Sequence, residues 1–403
     1  MTGSIQQTIH SQKRIPVTIL GATGVVGQRF LARIARHPWF YPAYLTGSER
    51  TSGRLYRDAC QWHVPGEPYA GFGDVTVSPS DPEHAFSPIV FSALDAKVAR
   101  EIEPLFAQAG AYVFSNASAF RMEEDIPLLI PEINPDHFSL VETQHARRGW
   151  KGAIITNPNC TTVMLASALA PLHAAFGVEA VMMTSMQAIS GAGYPGVSAM
   201  DIAGNVIPFI QNEEPKVESE SNKILGKLIH STSSSAVIGA PFAVSATCTR
   251  VPVIDGHTLS VSVRLAKRAS LEEVTHAFES FVPKTAAYRL PSAPERFLAL
   301  SPFHDRPQPR VDADVDGGMR IHVGRVRSCP ILGFKFIVMG NNIERGAAGA
   351  SVLNAELALS MDVMKHLPAA SEIKKQSCRE EAFIMNHGRR NNKNSQPGVG
   401  RLV

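Results

Sequence analysis

The chain has 403 residues, 44% of them hydrophobic and 19% charged, with a formal net charge of +3. That length exceeds one ordinary core and suits two domains, and the near-neutral balance argues against nucleic acid or an acidic surface as a partner. The five cysteines (Cys60, Cys160, Cys248, Cys329 and Cys378) form no CxxC pair, which excludes a disulfide framework or a zinc site, and no metal is expected.

Residues 1–13 are polar, with neither an apolar h-region nor an Arg-rich amphipathic pattern, and read as a flexible start. No stretch approaches about eighteen uninterrupted apolar residues, so no membrane span is expected and the cytoplasm is the default location. The run IPVTIL (15–20) reads as a strand. GATGVVG (Gly21 to Gly27) follows at once, and QRFLARIARHP then spaces Phe30, Leu31, Ile34 and Ala35 as a helix does. Strand, glycine turn and helix open a nucleotide-binding βαβ unit, in which small residues let the backbone approach a pyrophosphate at a helix N-terminus. The next strand ends in LTGSERTSGR, where Ser48, Arg50 and Ser52 suit the extra phosphate of NADP, with Glu49 as the one acid. SPIVFSAL reads as a strand, DAKVAREIEPLFAQAG as a helix ending at Gly110, and AYVFSN as another strand. Arg121 stands just past it, at a carboxyl end where such sheets bind ligands, as an anion clamp or a surface salt bridge.

In NPNCTTVMLASALAPL, Pro158 and Asn159 hold off the helix until Cys160. A cysteine at a helix's first turn meets free N–H groups and a positive dipole end, which favour thiolate. Longer strands with period-two alternation follow (VEAVMMTSMQAI, FAVSATCTRVPV, HTLSVSVRLAKRA and FKFIVMG), interrupted by a helical SLEEVTHAFESFV. Arg250 is a charge inside one of these apolar strands and needs a carboxylate or substrate partner. His257 sits at the turn VIDGH and is the candidate proton-transfer group. Glu213 and Lys216, three apart in NEEPKVESESNKILG, could share a helix face aimed at one site or lie on a solvated one. STSSS (231–235) reads as an exposed loop and 346–367 as a helix. The segment 371–403 holds seven basic residues against three acidic ones and reads as a disordered basic tail, with a nucleic-acid arm or an address signal as the alternatives.

The expected architecture is α/β: a Rossmann-type doubly wound parallel sheet plus an α+β region with a mixed sheet. The domains would be 14–156, completed by helix 344–367, and 157–343.

With GATGVVG, SNAS plus Arg121, NPNCTT, SGAGYPG (190–196), EEPK with NKILG, RVPVIDGH, RPQPR and RGAAG in this order, the chain resembles the aspartate-β-semialdehyde dehydrogenase family from about Val17 to Leu367. The resemblance implies reductive dephosphorylation of β-aspartyl phosphate to aspartate semialdehyde with NADPH, in the synthesis of lysine, methionine, threonine and isoleucine or in a side pathway. It implies Cys160 as acylated nucleophile, His257 as acid–base and Gln187 as substrate-positioning residue. Arg250 would grip the substrate carboxylate, Glu213 would face its amino group, and Arg121 and Lys216 would hold phosphate beside Asn159. The NADP site would comprise Gly21, Thr23, Gly24, Val25, Val26, Gly27, Ser48, Arg50, Ser52, Ser92, Ala93, Ser190, Gly191 and Asn342. A homodimer or homotetramer, with residues 157–343 as the catalytic and dimerisation domain, is also implied. Thr249 and Glu344 depart from the family pattern. A related thioester reductase of the malonyl-CoA type, or a non-catalytic NADP-binding regulator, would share much of this pattern.

Overall fold

The computed structural model describes residues 14–231, 234–365 and 367. The expectations for residues 1–13 and for the basic tail lie outside them.

Strands β1 (Ile15–Leu20), β2 (Phe40–Leu45), β3 (Ile89–Ser92), β4 (Tyr112–Ser115) and β5 (Ala153–Thr156) form one sheet in the order β2-β1-β3-β4-β5. Every pairing is parallel, so the loops leaving all five strands emerge along one edge. The β3, β4 and β5 strands are buried throughout, as strands covered on both faces must be. Helix α1 (Val25–Ala35) lays Phe30, Leu31 and Ile34 on the sheet, at the spacing a helix needs to bury one face. Helix α2 (Ala96–Ala109) starts at Asp95, whose side chain accepts from the Lys97 and Val98 N–H groups. It stops at Gly110 with φ of 109°, a left-handed conformation that glycine adopts without Cβ strain. Helix α3 (Leu140–Arg148) precedes β5.

Helix α4 (Cys160–Phe176) is buried on every side from Thr161 to Leu172, which its apolar sequence permits. It packs into the core of a second sheet made of β6 (Val178–Gln187), β9 (Ala243–Arg250), β10 (His257–Leu265), β11 (Leu298–Leu300), β12 (Ile321–Cys329) and β13 (Gly333–Gly340). Its order is β11-β12-β13-β10-β6-β9, with parallel and antiparallel pairs mixed. Helix α5 (Glu213–Ile224) leads into a separate hairpin, β7 (Lys227–His230) and β8 (Ser235–Ile238). Of the expected STSSS loop, the described Ser231 and Ser234 lie between these two strands and Ser235 is already in β8. Helix α6 (Leu271–Glu279) carries a reciprocal cap between Ser270 and Glu273.

Helix α7 (Gly349–Ser360) returns to the first domain, where Val352, Leu353, Leu357 and Leu359 enter the core of β1 to β5. Its extent corrects the expected helix over 344–367. Glu344–Ala348 form a wider π-turn, and the regular helix ends at Ser360, just before Asp362 adopts φ of 58°. Among the described residues no helix is long and apolar enough to cross a membrane.

Candidate active site

Register in the second sheet places the polar residues. The β6–β9 pairing sets Gln187 opposite Arg250, both at strand ends, while antiparallel β10 begins beside them with His257 opposite Gly340 of β13. The start of α4 meets this edge, and Cys160 Sγ lies 3.3 Å from His257 Nε2. Asn159 caps α4: its Oδ1 accepts from the Thr161 and Thr162 N–H groups at 2.9 and 3.1 Å, as a good N-cap does.

Glu213, the first residue of α5, organises the neighbours. Its Oε1 accepts from Asn159 Nδ2 (2.9 Å), Gln187 Nε2 (3.0 Å) and Thr161 Oγ1 (3.2 Å), and its Oε2 pairs with Lys216 Nζ at 3.9 Å. Arg250 Nη1 donates to the Ala188 carbonyl at 2.7 Å. Glu213, Val217, Glu220, Ser221, Lys223 and Ile224 are buried, so the face that carries Glu213 is not a solvated one, while Lys216 keeps 32% of its side chain exposed. Arg121 is buried as well. It pairs with Glu220 through Nη1 at 3.0 Å and donates from Nη2 to the Asn116 carbonyl at 2.7 Å; it is no surface salt bridge.

The electrostatics and hydrogen bonds correct two expectations, a lowered thiol pKa at Cys160 and His257 as the base that takes its proton. Burial, and after it Glu213, pushes the Cys160 thiol up to about 12, against the lowering pull of Arg121, Arg250 and the Thr161 N–H. In the ligand-free site desolvation thus outweighs the helix dipole that the sequence suggested would favour thiolate. Burial, and then Arg250, pushes His257 down to about 3. The Ala188 N–H donates to His257 Nδ1 at 3.1 Å, so the neutral ring carries its proton on Nε2, facing the sulfur.

Two glycines fit because the chain passes too close for a side chain. A Cβ on Gly191 would stand 2.7 Å from Arg250 Nη1 and 2.9 Å from His257 Cε1. One on Gly346 would stand 2.7 Å from the Cβ of Cys160, below any ordinary contact distance. Beside Gly191, Ser190 Oγ accepts from Asn342 Nδ2 at 2.9 Å, and Asn342 Oδ1 accepts from the Gly256 N–H.

At the carboxyl end of β1, Gly21 lies against Ala93, whose carbonyl oxygen would be 3.0 Å from a Cβ on Gly21, and the Ala22 N–H donates to the Thr46 carbonyl. Gly24 caps α1 without a side-chain bond and no acid occupies the first turn. The N–H groups presented by Val25, Val26 and Gly27 are therefore left to an anion. Gly27 packs so tightly that a Cβ would meet the Gly21 carbonyl at 2.2 Å. Thr23 is half-buried on this turn, Ser92 is buried at the end of β3, Ser48 and Arg50 are exposed beyond β2, and Ser52 is half-buried. This edge fits a dinucleotide. Among the described residues no His, Cys, Asp and Glu cluster could hold a metal ion.

Glu220, Lys223, Asn157 and Gly346 escaped the sequence reading. The spacing of Glu213, Glu220 and Lys223, seven and three apart, is the signal that could have found two of them. Asn157 Nδ2 donates to Asn116 Oδ1 (2.8 Å), Ser351 Oγ (2.6 Å) and the Ala347 carbonyl (2.9 Å), tying three segments together behind Cys160. Glu344, the departure beside the cofactor loop, is held by Arg29 and Arg33 of α1. Thr249 Oγ1 donates to the Ser185 carbonyl at 2.6 Å.

A dinucleotide-type sheet joined to a mixed sheet that carries a cysteine–histidine pair is an arrangement of cysteine-dependent, dinucleotide-linked oxidoreductases, a class that includes the semialdehyde dehydrogenases. Residues 16–141 match the family model of the semialdehyde dehydrogenase NAD binding domain, and 169–345 that of the semialdehyde dehydrogenase dimerisation domain. The aspartate-semialdehyde dehydrogenase of Archaeoglobus fulgidus is 50% identical over 351 residues, spanning 87% of this chain and 100% of that one. That of Saccharomyces cerevisiae is 40% identical over 357 residues, spanning 86% and 98%. The crystal structure of the Candida albicans enzyme with NADP superposes with a TM-score of 0.79 at 38% identity, over 87% of this chain and 99% of that one. The chain belongs to the aspartate-semialdehyde dehydrogenase family.

Proposed function

We propose that the chain catalyses the NADP-dependent reductive dephosphorylation of β-aspartyl phosphate to aspartate semialdehyde, and its reversal in the presence of phosphate. The observation that carries this reading is the 3.3 Å approach of Cys160 Sγ to His257 Nε2 at a helix start ringed by Arg121, Arg250, Glu213 and Gln187. Relatives of that name over nearly their whole length weigh against the thioester-reductase alternative.

Cys160, once it has lost its proton to solvent water, attacks the acyl carbon; the C–O bond to phosphate breaks and a thioester forms. Arg121 and Lys216 stabilise the departing phosphate. Bound NADPH supplies the hydride that reduces the thioester. The His257 Nε2–H stabilises first the thiolate and then the oxyanion on the former carbonyl oxygen. Collapse of that oxyanion breaks the C–S bond, releasing aldehyde and returning the thiolate, so the thiol proton is lost once and not in each cycle. Arg250 holds the substrate carboxylate, Gln187 and Asn159 position the acyl group, and Glu213 receives the substrate ammonium through Oε2.

In the cofactor cleft, Gly21 to Gly27 (with Thr23, Gly24, Val25 and Val26 between) would hold the pyrophosphate and Ser48, Arg50 and Ser52 the extra phosphate. Ser92, Ala93, Ser190, Gly191 and Asn342 would line the path to the nicotinamide. We assign residues 14–156 with 344–367 to cofactor binding and 157–343 to catalysis and pairing of subunits, in a cytoplasmic homodimer or homotetramer.

The test is phosphate-dependent reduction of NADP by aspartate semialdehyde. The wild-type chain should turn over and Cys160→Ser should not. Turnover by Cys160→Ser at the wild-type rate, or none by the wild type, overturns the proposal.

A further inference from the structure

Glu220 stands two turns along the same face of α5 from Glu213, buried to 2% exposure. Its two carboxylate oxygens do different things. Oε1 accepts from Arg121 Nη1 at 3.0 Å, and Oε2 accepts from the Asn159 backbone N–H at 2.6 Å. One carboxylate therefore joins the cation beyond β4 to the cap of the nucleophile's helix. A turn further on, Lys223 Nζ donates to the carbonyls of Arg121 (2.7 Å), Glu123 (2.7 Å) and Ile126 (2.9 Å), fixing the backbone from which Arg121 projects.

From this arrangement we infer that Glu220 is a positioning residue for the phosphate step: it holds Arg121 at a fixed distance from Cys160, so that the departing or attacking phosphate meets a cation already in place. The inference rests on the reading of Arg121 as a phosphate-binding residue. A free arginine would sample many rotamers and lose that freedom at each binding event. A guanidinium already anchored at Nη1 by a buried carboxylate and at Nη2 by the Asn116 carbonyl has lost it in advance. Its remaining N–H groups are left for an anion, because an arginine carries five donors. The desolvated pair also explains why a buried cation persists in the absence of substrate.

The test is a double-mutant cycle on Glu220→Gln and Arg121→Gln, read in the phosphate-dependent oxidation direction. In Glu220→Gln the amide oxygen can still accept from the Asn159 N–H, but an N–H₂ group now faces the Arg121 guanidinium and pushes it off its mark. The KM for phosphate should rise about tenfold, with kcat changed less than about threefold and the KM for NADP unchanged. In the Arg121→Gln background, Glu220→Gln should add almost nothing to the phosphate KM. A merely structural glutamate would shift both KM values and kcat alike and would act additively. A phosphate KM for Glu220→Gln within about twofold of wild type, or additive effects, overturns the inference. Should Glu220→Gln fold poorly, the doubly neutral variant, which buries no lone charge, is compared with Arg121→Gln; equal phosphate KM values support the inference and unequal ones overturn it. If Arg121→Gln alone leaves the phosphate KM unchanged, the reading of Arg121 has failed, and this inference with it.

Discussion

The backbone N–H of Ala188 donates to His257 Nδ1 at 3.1 Å, and this bond decides which way the imidazole can act. With Nδ1 occupied as an acceptor, neutral His257 points a proton at Cys160 and has no lone pair to offer its thiol. Ionisation of Cys160 is then governed by burial and, after it, Glu213, which push the thiol up to about 12 against the pull of Arg121 and Arg250.

Alkylation of the ligand-free protein by iodoacetamide should accordingly speed up about tenfold per pH unit from about pH 7 to pH 10, without a plateau. Mass mapping of Cys160 at each pH measures this. A plateau at or below about pH 8 would show a thiolate already formed, and the helix dipole would have won.

Acid should weaken the fold through the same histidine. Burial and Arg250 push His257 down to about 3, whereas in the unfolded chain it titrates near about 6.5. Between those values the unfolded state binds a proton that the native state refuses, so stability falls as pH falls through that window. The slope is about 1.4 kcal/mol per pH unit for this one group. His137, pushed down chiefly by burial to about 4, acts in the same direction. Denaturant midpoints at pH 7 and 5 should therefore separate more for the wild type than for His257→Gln; equal separations would mean that His257 is charged in the native state.

Gly346→Ala should cripple turnover without unfolding the chain. The new methyl would sit 2.7 Å from the Cβ of Cys160, and relief of that overlap displaces the sulfur from His257. Overpacking of this kind costs about 1–3 kcal/mol, and a displaced nucleophile loses about a hundredfold in kcat. Retention of the wild-type kcat would show that the π-turn yields instead.

Arg345 is fully buried and bonded to Glu132 at 2.8 and 3.1 Å and to the Met319 carbonyl at 2.7 Å, over the ring of Phe297. Glu132→Gln leaves that guanidinium without its counter-charge and should cost about 3–5 kcal/mol. Replacing both members by apolar residues should cost much less. Thermal denaturation of the single and double variants distinguishes this from a simple packing role, in which the double variant would be the worse.

Arg50 is exposed beyond β2 next to Ser48. Arg50→Asp should weaken NADPH by about 1.5–3 kcal/mol and NADH hardly at all. Equal losses for the two cofactors, read by fluorescence titration, would make Arg50 a structural residue.

The first sheet was legible because a strand, a glycine turn and an amphipathic helix are local signals, and IPVTIL-GATGVVG-QRFLARIA holds all three in one stretch. The second sheet was legible where alternation is regular, as in β6, β9, β10 and β13. Strand β12 was not: its register slips between Gly324 and Arg327, and Arg325 takes φ of 54°, so the period of two is broken where it would be read. Cys160 and His257 stood out by their local settings. The rise of the thiol pKa did not, because it comes from burial and from Glu213, which only the fold brings beside Cys160. Glu220 hid in a charge run that looks solvated until α5 is seen packed against α4.

The return of α7 into the first core bears on how the chain is made. Phe30, Phe40 and Phe91 share one apolar cluster with Val352, Leu353 and Leu357, so the amino-terminal half emerges from the ribosome with part of its interior still unsynthesised. Gly346 and Asn342 are likewise made only after the strands of both sheets. An amino-terminal fragment ending near residue 156 would hold an open apolar groove in water, a state prone to aggregation.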